Sequence, residues 1–211
     1  MNQQQTQLEP AVVRRNRLMF IGVIVIFVAP VLLAYYMYKS GWRPSSTVNH
    51  GTLVQPARPS PEFKMSIRAD GRTGGDFDQH GLEKLWNLVI VVDGSCNKAC
   101  LNNIYAIRQI QTAQGKNQVR IRRVLIHTGD DAGLEKIAAS YPKMVILEAG
   151  SKAFSTLRAW FTVKDQTGIF DGSRVYMVDP LGNFMMYYLP GYDPTGMRKD
   201  MVRLLKVSHI G

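Results

Sequence analysis

The sequence predicts an α/β domain with a largely parallel sheet and a C-terminal β-hairpin, preceded by a single N-terminal transmembrane helix. Three observations support this prediction. Apolar segments typical of strands alternate with helical segments between residues 85 and 161. The stretch SRVYMVDPLGNFMMYYLPG holds two more strand-like segments joined by turn residues, which indicates a hairpin. A charge-free apolar run lies near the N-terminus, and the 211 residues fit one domain with an appendage.

The apolar run extends from Leu18 to Tyr38 and contains 21 residues without a charge. As a helix it is roughly 31 Å long, which matches the ~30 Å hydrocarbon core of a bilayer. A cleaved signal peptide is the alternative, but its apolar region is only about 7 to 15 residues long and ends in small residues. Here tyrosines occupy that end instead. We therefore predict a membrane span over residues 18–38.

Charges around the span predict its orientation. Three arginines precede it within the first 17 residues, against Lys39 and Arg43 just after it, so the N-terminal tail, 1–17, is expected in the cytoplasm. The N-terminal residues lack the Arg- and Ser-rich amphipathic pattern of a mitochondrial leader. These features favour a single-pass protein of a bacterial inner membrane, with its soluble domain in the periplasm.

Residues 39–62 differ in composition from both neighbours. They contain four prolines and show no helical periodicity, which is typical of an extended linker or of a short strand laid against the domain. The folded domain is therefore predicted over residues 63–211.

Strands and helices then alternate along the chain. A strand over 85–93 precedes a helix over 100–114, whose apolar residues recur near helical spacing. A strand over 118–128, a helix over 131–141, a strand over 143–150 and a helix over 151–161 follow. The hairpin comes next, and an amphipathic helix is predicted from about Pro194 to Val207. Strands joined by helices favour a parallel sheet, to which the hairpin adds antiparallel strands.

The net charge of +10 is concentrated outside the tail. When Glu9 and the three arginines of the tail are removed from 16 acidic and 26 basic residues, 15 acidic and 23 basic residues remain, a net charge of +8. Nucleic acid is a poor partner because no nucleic-acid-binding motif is present. An anionic membrane surface, an acidic protein patch or improved solubility would each account for the charge.

The only two cysteines of the sequence, Cys96 and Cys100, follow the first predicted strand of the alternating region. Reactive groups of parallel sheets lie at the carboxyl ends of strands, and a helix that begins there lowers the pKa of a cysteine. Along a helix, a four-residue spacing separates the two by about 6 Å, at the long end of the disulfide range. The spacing suits a redox pair, coordination of Cu(I) or Zn(II) by two thiolates, or a structural disulfide. The structural disulfide is the weakest of the three, because so short a loop removes little entropy from the unfolded chain.

Together with the membrane anchor, three segments resemble the Sco (SenC) proteins: FDQHGLEKLWNLVIVVDGSCNKAC, HTGDD and FDGSRVYMVDPLGNFMMYY. Sco proteins are thioredoxin-like assembly factors of cytochrome c oxidase, in which a C-x-x-x-C motif opens the first helix after a central strand. The resemblance extends from about Phe77 to the C-terminus and implies a thioredoxin-like fold. It places Cys96 and Cys100 at the family's cysteine positions. It also implies delivery of copper to the binuclear copper site of oxidase subunit II, or reduction of that site's cysteines.

The sequence departs from that family at the third copper ligand. The family's histidine lies in an Asp-His-Ser stretch just before the hairpin strand, and this chain has Asp171-Gly172-Ser173 there. His127, at the end of a predicted strand, is the candidate substitute that would complete a metal site with Cys96 and Cys100. A histidine in such a position is more often hydrogen-bonded or on the surface. The methionines are expected to pack in the core or on helix faces rather than to bind metal.

Three functions follow from these residues. The first is a thiol–disulfide reductase in oxidase assembly, in which Cys96 attacks a disulfide of subunit II and Cys100 resolves the mixed disulfide. The missing histidine favours this function. The second is a copper chaperone that carries one Cu(I), with a third ligand from His127, the partner or solvent. The third is a non-catalytic scaffold that binds an oxidase subunit or another assembly factor through its basic surface.

Overall fold

The computed structural model describes residues 10–41, 48–69, 74–129, 133–163 and 170–208. The chain divides into two compact units, Met1–Thr47 and Val48–Gly211. The first unit contains one described helix, α1 (Pro10–Lys39), which includes the predicted span. In the sequence, residues 40–47, which include one proline, connect α1 to the second unit.

α1 is long and apolar enough to cross a membrane over Val13–Lys39, and it is the only such helix in the described residues. Its large apolar side chains are exposed, including those of Phe20 and Phe27. A continuous apolar surface of this size is unfavourable in water, whereas lipid tails would cover it. The prediction of a single apolar N-terminal helix is confirmed.

The second unit is built on one sheet, which has eight strands in the described residues. Its strands are β1 (Thr52–Pro59), β2 (Lys64–Ala69), β3 (Asp76–Asp78), β4 (Trp86–Asp93), β5 (Ile121–Thr128), β6 (Val145–Glu148), β7 (Val175–Val178) and β8 (Asn183–Tyr188). Their order is β1-β8-β7-β4-β5-β6-β2-β3. The strands β4, β5 and β6 are parallel, and the remaining pairs are antiparallel. The predicted parallel sheet with a closing hairpin is confirmed.

Helices cover both faces of this sheet: α2 (Lys98–Thr112), α3 (Gly133–Ser140), α4 (Ser151–Phe161) and α5 (Pro194–Val207). Successive side chains of a strand point to opposite faces, so β4 contributes to two cores. Leu88 and Ile90 lie on one face and pack with α2, α3 and α5. Val89 and Val91 lie on the opposite face and pack with α4. β4 is buried except at Asp93, which explains its continuous apolar sequence.

The predicted linker differs from the structure over part of its length. β1 lies within residues 39–62 and pairs with β8, so the compact unit begins at Val48 rather than at residue 63. β1 is an edge strand in which Val54 alone is buried, and it contains two prolines. Edge strands tolerate proline because their outer N–H groups need no partner in the sheet. The weak burial pattern explains why the sequence did not distinguish this strand from a linker.

Candidate dithiol site

The two cysteines lie where the predicted topology places them, at the carboxyl end of β4. The chain leaves β4 at Asp93, turns at Gly94, which has a positive φ of 92°, and enters α2 at Lys98. Asn97 is the N-cap, and its side-chain oxygen accepts a hydrogen bond from the backbone N–H of Cys100 at 3.0 Å. This cap satisfies one of the free N–H groups of the first turn and fixes where the helix begins.

Cys96 and Cys100 form a disulfide with a Cα–Cα distance of 5.3 Å. Helical spacing had predicted a separation of about 6 Å, at the long end of the disulfide range. This prediction was wrong. Cys96 precedes the N-cap and therefore lies outside the helix, where the chain can bring its Cα closer to that of Cys100. The bridge has an ordinary Cα–Cα separation.

The two sulfur-bearing residues differ in accessibility. Cys96 is half-buried, whereas Cys100 is 0% exposed and packs in the core with Ile104 and Val92. An external thiol or disulfide can therefore approach Cys96 more readily than Cys100. The first turn of α2 contains no acidic residue and begins with Lys98, so its partial positive charge favours a thiolate once the bridge is reduced.

Gly172 packs directly over Cys100. Its φ is +78°, and a methyl group placed on it would overlap Cβ of Cys100 and lie 3.0 Å from its Sγ. The Gly172 N–H donates to the carbonyl of Val91 at 3.1 Å, and its carbonyl accepts from Asn103 Nδ2 at 2.8 Å. The backbone of this segment therefore occupies the space beside the sulfur, and no side chain fits at position 172.

Asn97 and Asn103 were not recognised as site residues from the sequence. Asn97 caps α2, and Asn103 is a buried polar residue that holds the Gly172 segment against the helix. An asparagine just before an amphipathic helix is a recognisable N-cap signal. No pattern in the sequence could have paired Asn103 with Gly172, which lies 69 residues further along the chain.

A groove of about 350 Å³ lies beside Cys96, between the start of α2 and α3. Its walls come from the start of α2 and from α3, and it is lined by Ser95, Cys96, Leu101, Lys136, Ile137 and Tyr141, among others. Leu101 is exposed on α2, and Arg108 lies over the ring of Tyr141 at 5.6 Å. The more accessible cysteine therefore opens into a partly apolar groove that also carries a lysine.

His127 lies next to Val92 in the register of β4 and β5 and is 1% exposed. It is on the same face of β5 as Leu125, which belongs to the core cluster that contains Cys100. Its Nδ1 donates to the carbonyl of Gly129 at 3.1 Å, which leaves Nε2 unprotonated, buried and without a hydrogen-bond partner among the described residues. Burial lowers the pKa of His127 below its ordinary value, although the hydrogen bond to Gly129 opposes this effect.

Among the described residues, no three His, Cys, Asp or Glu side chains are grouped so that they could hold a metal ion. A metal site formed by Cys96, Cys100 and His127 stays a prediction. The other described histidines bind carboxylates: His50 contacts Asp200 at 3.1 Å, and His80 contacts Glu83 at 2.8 Å. The methionines expected in the core are buried there, for example Met144, Met177 and Met197.

A helix-capped dithiol at the carboxyl end of a central strand, within a sheet covered by helices on both faces, defines a thioredoxin-like protein. The chain belongs to the family described as "Transmembrane-like, thioredoxin-like, C-terminal domain", whose family model matches residues 86–208. No curated protein sequence matches the chain.

Solved structures support the same fold. Yeast Sco1 with copper bound has 15% sequence identity and a TM-score of 0.55, with 72% of this chain and 90% of that chain covered. BsSco, described as a member of the Sco family of cytochrome c oxidase assembly proteins with a disulfide switch, has 15% identity and a TM-score of 0.53, with coverages of 72% and 96%. A thiol:disulfide interchange protein from Chlorobium tepidum has 15% identity and a TM-score of 0.51, with coverages of 71% and 97%. The resemblance to Sco proteins is confirmed for the fold.

Proposed function

We propose that this protein is a membrane-anchored thiol–disulfide reductase in cytochrome c oxidase assembly, which keeps the copper-site cysteines of subunit II reduced. The packing of Gly172 over Cys100 carries this proposal. A metal carrier of this type needs a third ligand beside its two thiolates, and the position that supplies it in Sco proteins is filled here by backbone. A redox dithiol needs only the two sulfurs, a positive helix end and one accessible sulfur.

The proposed reaction starts from the reduced chain. The Cys96 thiolate attacks one sulfur of the partner disulfide, so that a mixed disulfide forms and the second partner sulfur leaves as a thiolate. The Cys100 thiol loses its proton and attacks the Cys96 sulfur, which releases the first partner sulfur and forms the Cys96–Cys100 bridge. Two electrons pass to the partner, whose two thiolates take up protons. A separate dithiol reductant then restores the chain.

The accessibilities of the two cysteines support these roles. The half-buried Cys96 can meet a partner disulfide, and the fully buried Cys100 can reach only Cys96. Cys100 is therefore placed to resolve the mixed disulfide within the same chain. The groove beside Cys96 offers the partner segment apolar contacts with Leu101 and Tyr141 and a positive charge from Lys136.

The link to oxidase assembly comes from the Sco resemblance. We further propose that α1 anchors the chain in a bacterial inner membrane, with the N-terminus in the cytoplasm and the second unit in the periplasm. This placement would bring the dithiol to the side of the membrane where the copper site of subunit II is assembled. The length and apolar character of α1 support the anchor, and the arginines before it support the orientation.

The test replaces each cysteine in the full-length protein in its own membrane. Cys96→Ser and Cys100→Ser are both expected to lower oxidase activity, and Cys100→Ser is expected to accumulate a mixed disulfide between Cys96 and the partner. Ser95→Ala, beside the reactive cysteine, is the matched control and should retain activity. Non-reducing gels and mass spectrometry identify the trapped partner. Wild-type oxidase levels in either cysteine variant would refute the proposal, and normal levels in the double variant would favour the scaffold function.

A copper chaperone that delivers Cu(I) to the same site is the second candidate. Two observations favour it: the fold is that of proteins solved with copper bound, and His127 has a buried, unprotonated Nε2 on the face of the sheet that carries the cysteines. It predicts about one Cu(I) per reduced full-length chain, bound more weakly after His127→Ala. His80→Ala is the control, because His80 is exposed and bound to Glu83. If the reduced chain retains no Cu(I) against a mild chelator, this candidate is excluded.

A further inference from the structure

The solvent face of α5 is strongly basic. Four exposed cations lie on it, and we call them the α5 basic face: Arg198, Lys199, Arg203 and Lys206. They surround Val202, which is 44% exposed. Helical spacing places all five within about 140° of arc, so they form one continuous surface.

No exposed acid within α5 offsets this charge. Asp200, the only acidic residue of the helix, is 3% exposed and points into the second unit. It accepts hydrogen bonds from the backbone N–H groups of His50 and Gly51 at 2.8 and 2.9 Å and from the Tyr188 hydroxyl at 3.0 Å. Its charge is therefore satisfied internally. Asp193, the exposed N-cap, interacts with Lys199 but lies at the opposite end of the helix from Arg203 and Lys206.

The same helix holds the beginning of the second unit. Arg203 Nη1 donates to the carbonyl of Val48, and Asp200 binds the next residues of the chain through His50 and Gly51. Val48 follows Lys39, the last residue of α1, by nine residues. Nine residues extend over at most about 30 Å. Val48, which α5 binds through Arg203, therefore cannot lie more than about 30 Å from Lys39 at the end of α1.

We propose that the α5 basic face binds the anionic headgroups of the membrane in which α1 is embedded. Each basic residue near an anionic bilayer strengthens binding by roughly fivefold, so four together make a substantial attraction. The short connection keeps that bilayer at a high effective concentration, which no soluble acidic protein shares. The exposed side chain of Val202 can enter the interface between the cations. The inference goes beyond the dithiol chemistry and requires only that α1 is inserted.

The test measures how readily Lys199 and Lys206 react with an amine-acetylating reagent. The full-length chain is inserted at one copy per nanodisc. One set of nanodiscs contains phosphatidylcholine alone, and the other contains about one-third phosphatidylglycerol as well. Labelling is measured by mass spectrometry. Lys152 is the internal reference, because it is exposed on α4, on the other face of the sheet. Insertion of α1 is verified by copurification of chain and disc. Labelling of Lys199 relative to Lys152 is expected to fall about fivefold or more in the anionic discs and to recover in 0.5 M salt, as screening requires.

Charge variants make the test specific. Arg198→Gln with Lys206→Gln removes two cations of the α5 basic face and is expected to weaken docking by roughly 25-fold, so that Lys199 labels alike in both discs. Arg203 is left intact because it also binds Val48. The matched control is the double variant Lys84→Gln with Lys152→Gln. Labelling of its Lys199 is compared with that of Lys143, and Lys199 should still be protected in the anionic discs. Equal labelling of wild-type Lys199 in the two discs, or protection that only an added acidic protein produces, would overturn the proposal.

Discussion

Substitution of Gly172 tests the packing on which the proposed function depends. An alanine there must adopt a φ near +78°, which costs roughly 1 kcal/mol for an L-residue. Its methyl group would also overlap Cβ of Cys100, in a core segment held by Val91 and Asn103. Overpacking of this kind costs about 1–3 kcal/mol. We therefore expect Gly172→Ala to lower the free energy of unfolding by about 3 kcal/mol.

Gly191→Ala is a matched control for the backbone part of this cost. Gly191 has a φ of +80°, and a methyl group placed on it would meet no heavy atom within 4 Å, so its substitution should cost only about 1 kcal/mol. The difference of about 2 kcal/mol isolates the contact with Cys100. Urea titration of the full-length oxidised chain in detergent, followed by tryptophan fluorescence, measures both values, since Trp86 and Trp160 lie in the core.

Equal costs for the two alanine variants would refute the tight packing of Gly172 on Cys100 and would reopen this position to a metal ligand. Gly172→His is the informative extension. By the resemblance to Sco proteins, it places a histidine where their copper ligand lies in the sequence, yet the structure offers its side chain no room beside Cys100. We expect it to destabilise the chain at least as much as alanine does and not to raise the affinity for Cu(I).

Two further predictions concern buried titratable groups. Asp200→Asn should lower the free energy of unfolding by about 2–3 kcal/mol, because it removes a charged acceptor that binds His50, Gly51 and Tyr188. Burial by itself would raise the pKa of Asp200, but these hydrogen bonds hold the pKa below its ordinary value, so its contribution is full near neutral pH and is lost as the pH falls below about 4. His127 has a lowered pKa in the folded chain, so the unfolded chain binds more protons below pH ~6.5. As the pH is lowered below about 6.5, the free energy of unfolding should fall by at most about 1.4 kcal/mol per pH unit, and the contribution of His127 to this fall should be absent in His127→Gln.

The controls for these predictions lie in the same chain. Asp193→Asn leaves a good N-cap on α5 and should change stability by less than about 0.5 kcal/mol. A cost for Asp200→Asn as small as that of Asp193→Asn would contradict the assigned role of Asp200. For His127, the pH dependence is taken as the difference between wild type and His127→Gln, which cancels the other titrating groups. An unchanged dependence in the variant would show that His127 is not buried in its neutral form.

Strongly periodic elements were predictable from the sequence. The helix expected over residues 151–161 has those bounds in the structure, and α5 spans Pro194–Val207 as predicted. Both helices bury one apolar face, so local spacing already encodes their packing. By contrast, β1, β2 and β3 gave no comparable pattern. They lie toward the two edges of the sheet, where few side chains are buried and pairing with β8 or β6 defines the strand.

The position of the candidate site also followed from local rules, since a cysteine placed after a buried strand and before a helix lies at the carboxyl end of that strand. The groove beside Cys96 could not be predicted from local rules, because its walls come from α2 and from α3, which begins more than thirty residues after Cys96 in the sequence. Likewise, the orientation of His127 depends on the register of β4 and β5, and its tautomer depends on the hydrogen bond to Gly129.

The sequence by itself determined an apolar membrane-length helix, a parallel α/β sheet with a hairpin, and a dithiol at the start of a helix, because each depends on residues close together in the chain. By the resemblance to Sco proteins, it also places a glycine, Gly172, where those proteins have a copper ligand. Only the tertiary structure decided what that glycine does. Gly172 and Cys100 meet through the bridge between Val92 and Asp171 and the hydrogen bond from Asn103, contacts that bring distant segments together. Steric exclusion depends on such contacts, and residue spacing does not specify them.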